Sequence, residues 1–371
     1  MTISGRDSSL GAEKGHAASV ASSESTITTP TAAAGEAPDA VSASGVTARQ
    51  RLIRRGLNSS PAYMFAVLAA LFILFSILSP STFPTQANIK NLVVDTSIVL
   101  VMSVGMTFVM VAAGFDLSIG SVLVFSGICA VKTMSLVGGD GYGTALAGLG
   151  ASVVGGVAWG LFNGFCVTRL RVPALITTLG TLGAALGIAN LLTDGNDISV
   201  SQASMISLQI TDILGLPWIV WVSLVVVLIG GAVLRFTRFG RHTYIIGSND
   251  EAARRAGINV HSHLVKLYAI SGGLAGLAGM MSLIRFSTTT IGGHSQDALT
   301  VITGVILGGT SLYGGYGTVL GTVIGIFIPT VLQNGLVVQN VQPFWQNVAI
   351  GFILIGAVYL DQLKRRARDR A

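Results

Sequence analysis

Charge is scarce in this chain of 371 residues: Asp, Glu, Lys and Arg together make up only 10% of it. Soluble domains carry about 25%. With 51% hydrophobic residues and a mean hydropathy of +0.71, this scarcity excludes a soluble globular protein and points to a membrane. Cysteine is scarcer still. Cys129 and Cys166 both fall in apolar runs, so neither a disulfide framework nor a thiolate metal site is indicated. The five histidines show no ligand spacing such as HExxH. No Gly-Lys-Ser or Gly-Lys-Thr occurs, so the chain has no Walker loop with which to hydrolyse ATP itself. Carboxylates within the apolar runs are few, which argues against the ion relay of a stand-alone secondary transporter. No catalytic dyad is visible, so a membrane-embedded enzyme has no support.

Glycine is abundant, at 47 residues, as expected where helix backbones approach closely in lipid. Small-xxx-small spacing recurs at Gly156, Gly160 and Gly164; Gly183 and Gly187; Gly272 and Gly276; Gly304 and Gly308; and Gly317, Gly321 and Gly325. Packing is the simplest reading of these runs.

The first 50 residues are rich in Ala, Ser, Thr and Gly and read as a disordered cytoplasmic tail without the apolar core of a signal peptide. Residues 51–371 read as one membrane domain, an all-α polytopic protein. Ten apolar intervals follow, at 61–79, 92–113, 117–137, 144–167, 172–192, 216–235, 264–284, 298–312, 317–337 and 345–360. Most approach the roughly 20 residues that a helix needs to cross a bilayer.

An even count places both termini on one side, and the charges choose the side. Flanks on the expected inner face hold Arg51, Arg54, Arg55, Arg169, Arg171, Arg235, Arg238, Arg241, Arg254, Arg255, Lys266, Lys364, Arg365, Arg366, Arg368 and Arg370, sixteen of the 22 basic residues. The expected outer loops hold only Lys90 and Arg285. The positive-inside rule therefore puts both termini in the cytoplasm, and it accounts for the net charge of +6 without nucleic acid. The long outer loop, near 193–215, carries Asp194, Asp197 and Asp212 and no basic residue. Asp95 and Lys132 lie near outer ends of spans, where either they pair with each other or Lys132 snorkels to the interface.

Three stretches carry candidate function. The loop at 236–263 is polar and basic between apolar runs, and it contains the short segment Glu251, Ala252, Ala253, Arg254, Arg255, followed by Gly257. A compact helical loop of this kind in water suggests a soluble partner docking there. In AGFDLSIGS, at 113–121, Asp116 either caps the third helix or, with Ser118, faces a translocation path at a broken helix end. Amides and hydroxyls inside the spans, among them Asn163, Thr177, Thr178 and Asn334, either bond between helices or line a route for a neutral polyol. Weak echoes suggest an inverted five-helix repeat: DLSIGS at Asp116 against the run opening at Asp297, and LFNGF at Asn163 against LQNGL at Asn334.

From about Pro61 to Asp361 the chain resembles the permease subunits of ribose-type ABC sugar importers. The resemblance rests on DLSIGS at 116–121, NGFCVTRLRVPALITTLGTL at 163–182, FGRHTYIIGSNDEAARRAGINV at 239–260, SGGLAGLAGM at 271–280, GGTSLYGGYGTVLGT at 308–322, and LQNGL with PFWQ at 332–346. It departs from the family at Ala113 and Phe115, where Gly and Ile are commoner, and no Ile-x-Leu-Pro follows Gly257. The resemblance implies a permease in the bacterial inner membrane that binds no cofactor itself, with ATP and Mg held by a separate ATP-binding subunit. It further implies a periplasmic sugar-binding protein and a second permease copy, identical or related. The segment from Glu251 to Gly257 then looks like the coupling helix.

Overall fold

The structure, a computed structural model, describes residues 60–294 and 296–369. The expected tail at 1–50 and Arg51, Arg54 and Arg55 lie outside the described residues, as do the side chains of the basic C-terminal run.

Each of the ten apolar intervals coincides with a helix. They are α1 (Ser60–Leu78), α2 (Gln86–Val111), α3 (Ile119–Val137), α4 (Tyr142–Thr168), α5 (Ala174–Thr193), α7 (Trp218–Phe236), α10 (Val260–Phe286), α11 (Asp297–Leu307), α12 (Val319–Val338) and α13 (Pro343–Asp369). Between them lie the short helices α6 (Ala203–Ile210), α8 (Arg238–Ser248) and α9 (Asp250–Arg255), and a hairpin of β1 (Asp212–Ile213) and β2 (Leu216–Pro217). Seven helices among the described residues are long and apolar enough to cross a membrane: α2, α3, α4, α5, α7, α10 and α12. The chain is thus a polytopic helical membrane protein. Helices suit these runs because every backbone group is satisfied within the segment, which hydrocarbon demands.

Helix α2 is the centre. Residues from Val101 to Ala112 are buried without interruption, between α10 on one side and α7 and α12 on the others. Thr107 Oγ1 meets Thr322 Oγ1 of α12 at 2.7 Å, and Thr96 Oγ1 donates to Thr330 Oγ1 at 3.1 Å. Hydroxyl pairs of this kind join helices without exposing polar groups to lipid.

Two of the glycine runs are seams between backbones. A Cβ built on Gly156 of α4 would lie 2.1 Å from the Gly272 carbonyl of α10, and one on Gly272 would lie 2.1 Å from the Gly156 carbonyl. Gly160 faces the Tyr268 carbonyl equally closely, and Gly276 faces Ser152. The second seam joins α11 to α12, where a Cβ on Gly325 would lie 2.1 Å from the Gly304 carbonyl. Gly183 and Gly187 of α5, with the same spacing, have no heavy atom within 4 Å of a built Cβ.

Of the two readings of Asp95 and Lys132, the pairing does not form. Asp95 Oδ1 instead accepts from Arg285 Nε at 3.0 Å, because that end of α2 lies against the end of α10. Lys132 is exposed on α3.

The glycine contrast yields a prediction. Gly156→Ala should destabilise the protein by about 1–3 kcal/mol, the usual cost of overpacking. Gly183→Ala should leave the detergent-solubilised melting temperature unchanged. Equal effects of the two, read by thermal unfolding, would contradict the seam.

Candidate functional site

Three groups of residues stand at defined places along the bundle. The first is α9. Asn249 caps it, its Oδ1 accepting from the Ala252 N–H at 2.9 Å. It ends with the Gly257 N–H on the Arg254 carbonyl and the Ile258 N–H on the Ala253 carbonyl, both at 3.0 Å. Gly257 has φ +81°, the left-handed turn that glycine enters without a Cβ penalty. Arg254 pairs with Asp250 at 2.9 Å, and Arg255 pairs with Glu251, each one turn along the helix. Glu251, Ala252, Arg254, Arg255 and Gly257 are exposed. Ala253 is not: it is fully buried in a small cluster with Ile246 and Val260, against Leu264 at the start of α10. The segment therefore shows charge to solvent and is pinned from beneath by one methyl group.

The second group is a buried polar cluster around the turn between α2 and α3. Ser118, not Asp116, occupies the cap position of α3. Asp116 Oδ1 accepts from the Ser118 N–H at 3.2 Å and from Ser118 Oγ at 2.6 Å, while its Oδ2 accepts from Ser271 Oγ of α10 at 2.9 Å. Asn163 Nδ2 of α4 donates to Ser118 Oγ at 2.8 Å, and the Tyr268 hydroxyl donates to the Phe115 carbonyl at 3.0 Å. Asp116, Ser118 and Asn163 are each 1% exposed or less. Burial pushes the Asp116 carboxyl above its usual range, against the opposing pull of the Ser118 and Ser271 hydroxyls and the Ser118 N–H. No cation among the described residues pairs with it. The cluster fastens three helices at the end of the bundle that holds α8 and α9. There Gly315 N–H bonds the Val111 carbonyl at 2.8 Å, and the Tyr244 hydroxyl bonds the Gly317 carbonyl at 2.6 Å. The glycine-rich turn at 308–318 is thus wedged against α8 and the end of α2.

The third group lies at the opposite end. A cavity of about 510 Å³ opens between α2, α12, α13 and the segment leading into α11. That size is within the range of roughly 300–1,000 Å³ typical of small-molecule sites. Its polar lining is Asp95, Thr96, Thr290, His294, Asp297, Thr330, Gln333, Asn334 and Gln346. Asn334 exchanges amide hydrogen bonds with Asn88 at 2.9 and 3.1 Å. Of the six path residues expected from sequence, Asn334 alone lines this cavity. Asp116, Ser118 and Asn163 come together in the cluster at the other end. Thr177 and Thr178 are buried near the start of α5, where Thr178 Oγ1 bonds the Ala174 carbonyl at 2.9 Å. Sequence reasoning passed over His294, Thr290 and the partnership of Arg285 with Asp95. The one signal for His294 was its position three residues before Asp297.

Removing the Asp116 side chain should be costly and replacing it by an amide cheap. Asp116→Ala leaves the Ser118 and Ser271 hydroxyls without their buried acceptor and should cost about 1–3 kcal/mol. Asp116→Asn keeps an acceptor toward Ser118 and should retain most of the stability. Thermal unfolding of both variants in detergent checks this.

A family model described as the permease component of the branched-chain amino acid transport system matches residues 88–358. The chain is 34% identical over 309 residues to the L-arabinose transport system permease protein AraH of Escherichia coli (strain K12), covering 82% of this chain and 91% of that one. It is 35% identical over 299 residues to the D-allose transport system permease protein AlsC of the same strain, covering 81% and 90%. It is also 35% identical over 302 residues to the ribose import permease protein RbsC of that strain, covering 80% and 92%. No solved structure matches the chain. A match over most of the membrane domain, with relatives alike from end to end, decides the matter: the chain belongs to this transport permease family, as a non-catalytic membrane component of its ribose-type branch.

Proposed function

We propose that this chain carries a neutral monosaccharide, a pentose, a hexose or a related polyol, across the bacterial inner membrane as the permease subunit of an ATP-driven importer. The relatives named for L-arabinose, D-allose and ribose support that cargo class. So does the cavity lining, which is rich in amides and hydroxyls that donate and accept without fixed charge. The observation that carries the reading is the separation of parts: an exposed, charge-bearing helix at one end and a polar cavity at the other.

In this reading a separate ATP-binding subunit, holding ATP and Mg, docks on α9 through Glu251, Arg254 and Arg255. A periplasmic sugar-binding protein delivers cargo at the cavity end, and a second permease copy completes the pore. Both termini are cytoplasmic. The ten helices are ten crossings in two inverted halves; Asn163 near the α9 end and Asn334 at the cavity end are the positions such an inversion would relate. Helix α10 begins beside Ala253 and ends beside the cavity, so movement of α9 reaches the cavity along one rigid rod. All the energy comes from the partner's differential binding to the two states.

A charge swap tests docking apart from helix stability. Glu251→Lys should lower uptake of a pentose and hexose panel by about tenfold or more, equivalent to roughly 1.4 kcal/mol of lost docking energy, at unchanged membrane abundance. Combining it with Arg255→Glu restores the pair within the helix but reverses the face shown to the partner. Uptake should therefore stay low in the double variant. Full uptake in Glu251→Lys, or rescue by the swap, would contradict docking through these residues.

A further inference from the structure

Ser282, His294 and Asp297 form a relay at the cavity edge. Ser282 Oγ lies 2.7 Å from His294 Nε2, and Asp297 Oδ2 lies 2.7 Å from His294 Nδ1. An ionised carboxylate only accepts, so the Nδ1 proton faces Asp297. In the neutral ring Nε2 is then the acceptor, and the Ser282 hydroxyl donates to it. The three side chains come from α10, from the segment after it and from the first turn of α11, and the imidazole is 8% exposed.

His294 also lines a second, smaller cavity of about 180 Å³, bounded by Gly120, Ser121 and Val124 on α3 and by Leu182, Leu186 and Asn190 on α5. Gly293, His294 and Asp297 line the larger space and Ile291, Gly292, His294 and Ala298 the smaller, so His294 stands between the two. It fits tightly: a Cβ on Gly120 would lie 2.9 Å from the His294 carbonyl. The segment leading to it is pinned by Asp197, whose Oδ1 accepts from the Ile291 N–H at 2.7 Å.

We propose that His294 is a gate between the two cavities, opened when a hydroxyl group of the cargo takes the place of Ser282 at Nε2. An arriving hydroxyl offers Nε2 the same donated proton, so the acceptor stays paired while the Ser282 hydroxyl is freed. Once the cargo hydroxyl stands in for Ser282, the hydrogen bond that still ties the imidazole to the protein is the one to Asp297, and the ring turns about its own side chain with the cargo. Thr290 Oγ1 lies in the same lining, buried and with no partner among the described residues, and is a second contact for a polyhydroxylated ligand. An apolar solute of the same size has no proton for Nε2 and leaves the gate shut. The identity of the cargo as a sugar rests on the importer reading above; the place of His294 between the two spaces does not.

Cysteine accessibility tests the gate on the full chain in liposomes. Ser121→Cys places a thiol in the smaller cavity and Asn334→Cys one in the larger, each with Cys129→Ala and Cys166→Ala. A membrane-impermeant methanethiosulfonate is added on the cavity side. Ser121→Cys should label slowly when the relay is intact, and about tenfold faster with Ser282→Ala or His294→Ala, the effect of one lost hydrogen bond. Asn334→Cys should label at one rate throughout. His294→Gln, whose amide both donates and accepts, should restore slow labelling; gel filtration checks that each variant is folded. A mixture of pentoses and hexoses should speed labelling of Ser121→Cys in the intact relay, and glycine betaine, which has no hydroxyl or N–H to donate, should not. Equal labelling of Ser121→Cys with and without His294 would overturn the gate, and so would indifference of the intact relay to every sugar. Failure of the importer reading would look different: no sugar and no binding protein would stimulate ATP hydrolysis by the complex.

Discussion

The close contact of α4 with α10 is what the remainder of the bundle depends on. In lipid no hydrophobic force pulls helices together, so association rests on backbones that approach within van der Waals reach. Gly156 and Gly272 provide that approach reciprocally, and no larger residue fits at either position. The seam fixes the height and rotation of α10. Ser271 is thereby presented to Asp116, and Tyr268 to the Phe115 carbonyl. A buried carboxylate with no cationic partner among the described residues is tolerable only where donors are held in place, and the seam holds them.

Helix α10 spans 27 residues, about 40 Å at the usual helical rise. One end packs beneath Ala253 of α9. The other supplies Ser282 to His294 and Arg285 to Asp95. The second glycine seam holds α11, only 11 residues long, against α12, so that the first turn of α11 faces the cavity. Two seams thus bracket the polar space, and His294 lies between them in the chain.

Much of the fold was legible before any coordinates. Runs of about 20 apolar residues have few alternatives in a membrane, and all ten intervals fell on helices. Chemistry was legible by type, but partnership was not. Asp116, Ser118 and Asn163 stood out as polar groups within apolar sequence, yet their meeting depends on contacts across 45 and 155 positions of chain. Pairing with the nearer Lys132 was one of two readings of Asp95, whereas its partner in the structure, Arg285, lies 190 residues away. Spacing alone did not separate Gly156, which is locked against a neighbour, from Gly183, which faces open space. A lone histidine carries no signal until the structure places Ser282 and Asp297 at its two nitrogens.

Coupling along α10 is most directly measured at the cavity, with nucleotide supplied at the far end. The complex of this chain with its ATP-binding subunit would carry Gln333→Cys, and thiol labelling from the cavity side would be timed with and without non-hydrolysable ATP. A labelling rate that changes severalfold on nucleotide binding is the predicted result. An identical rate in both states would contradict the transmission of movement from α9 to the cavity.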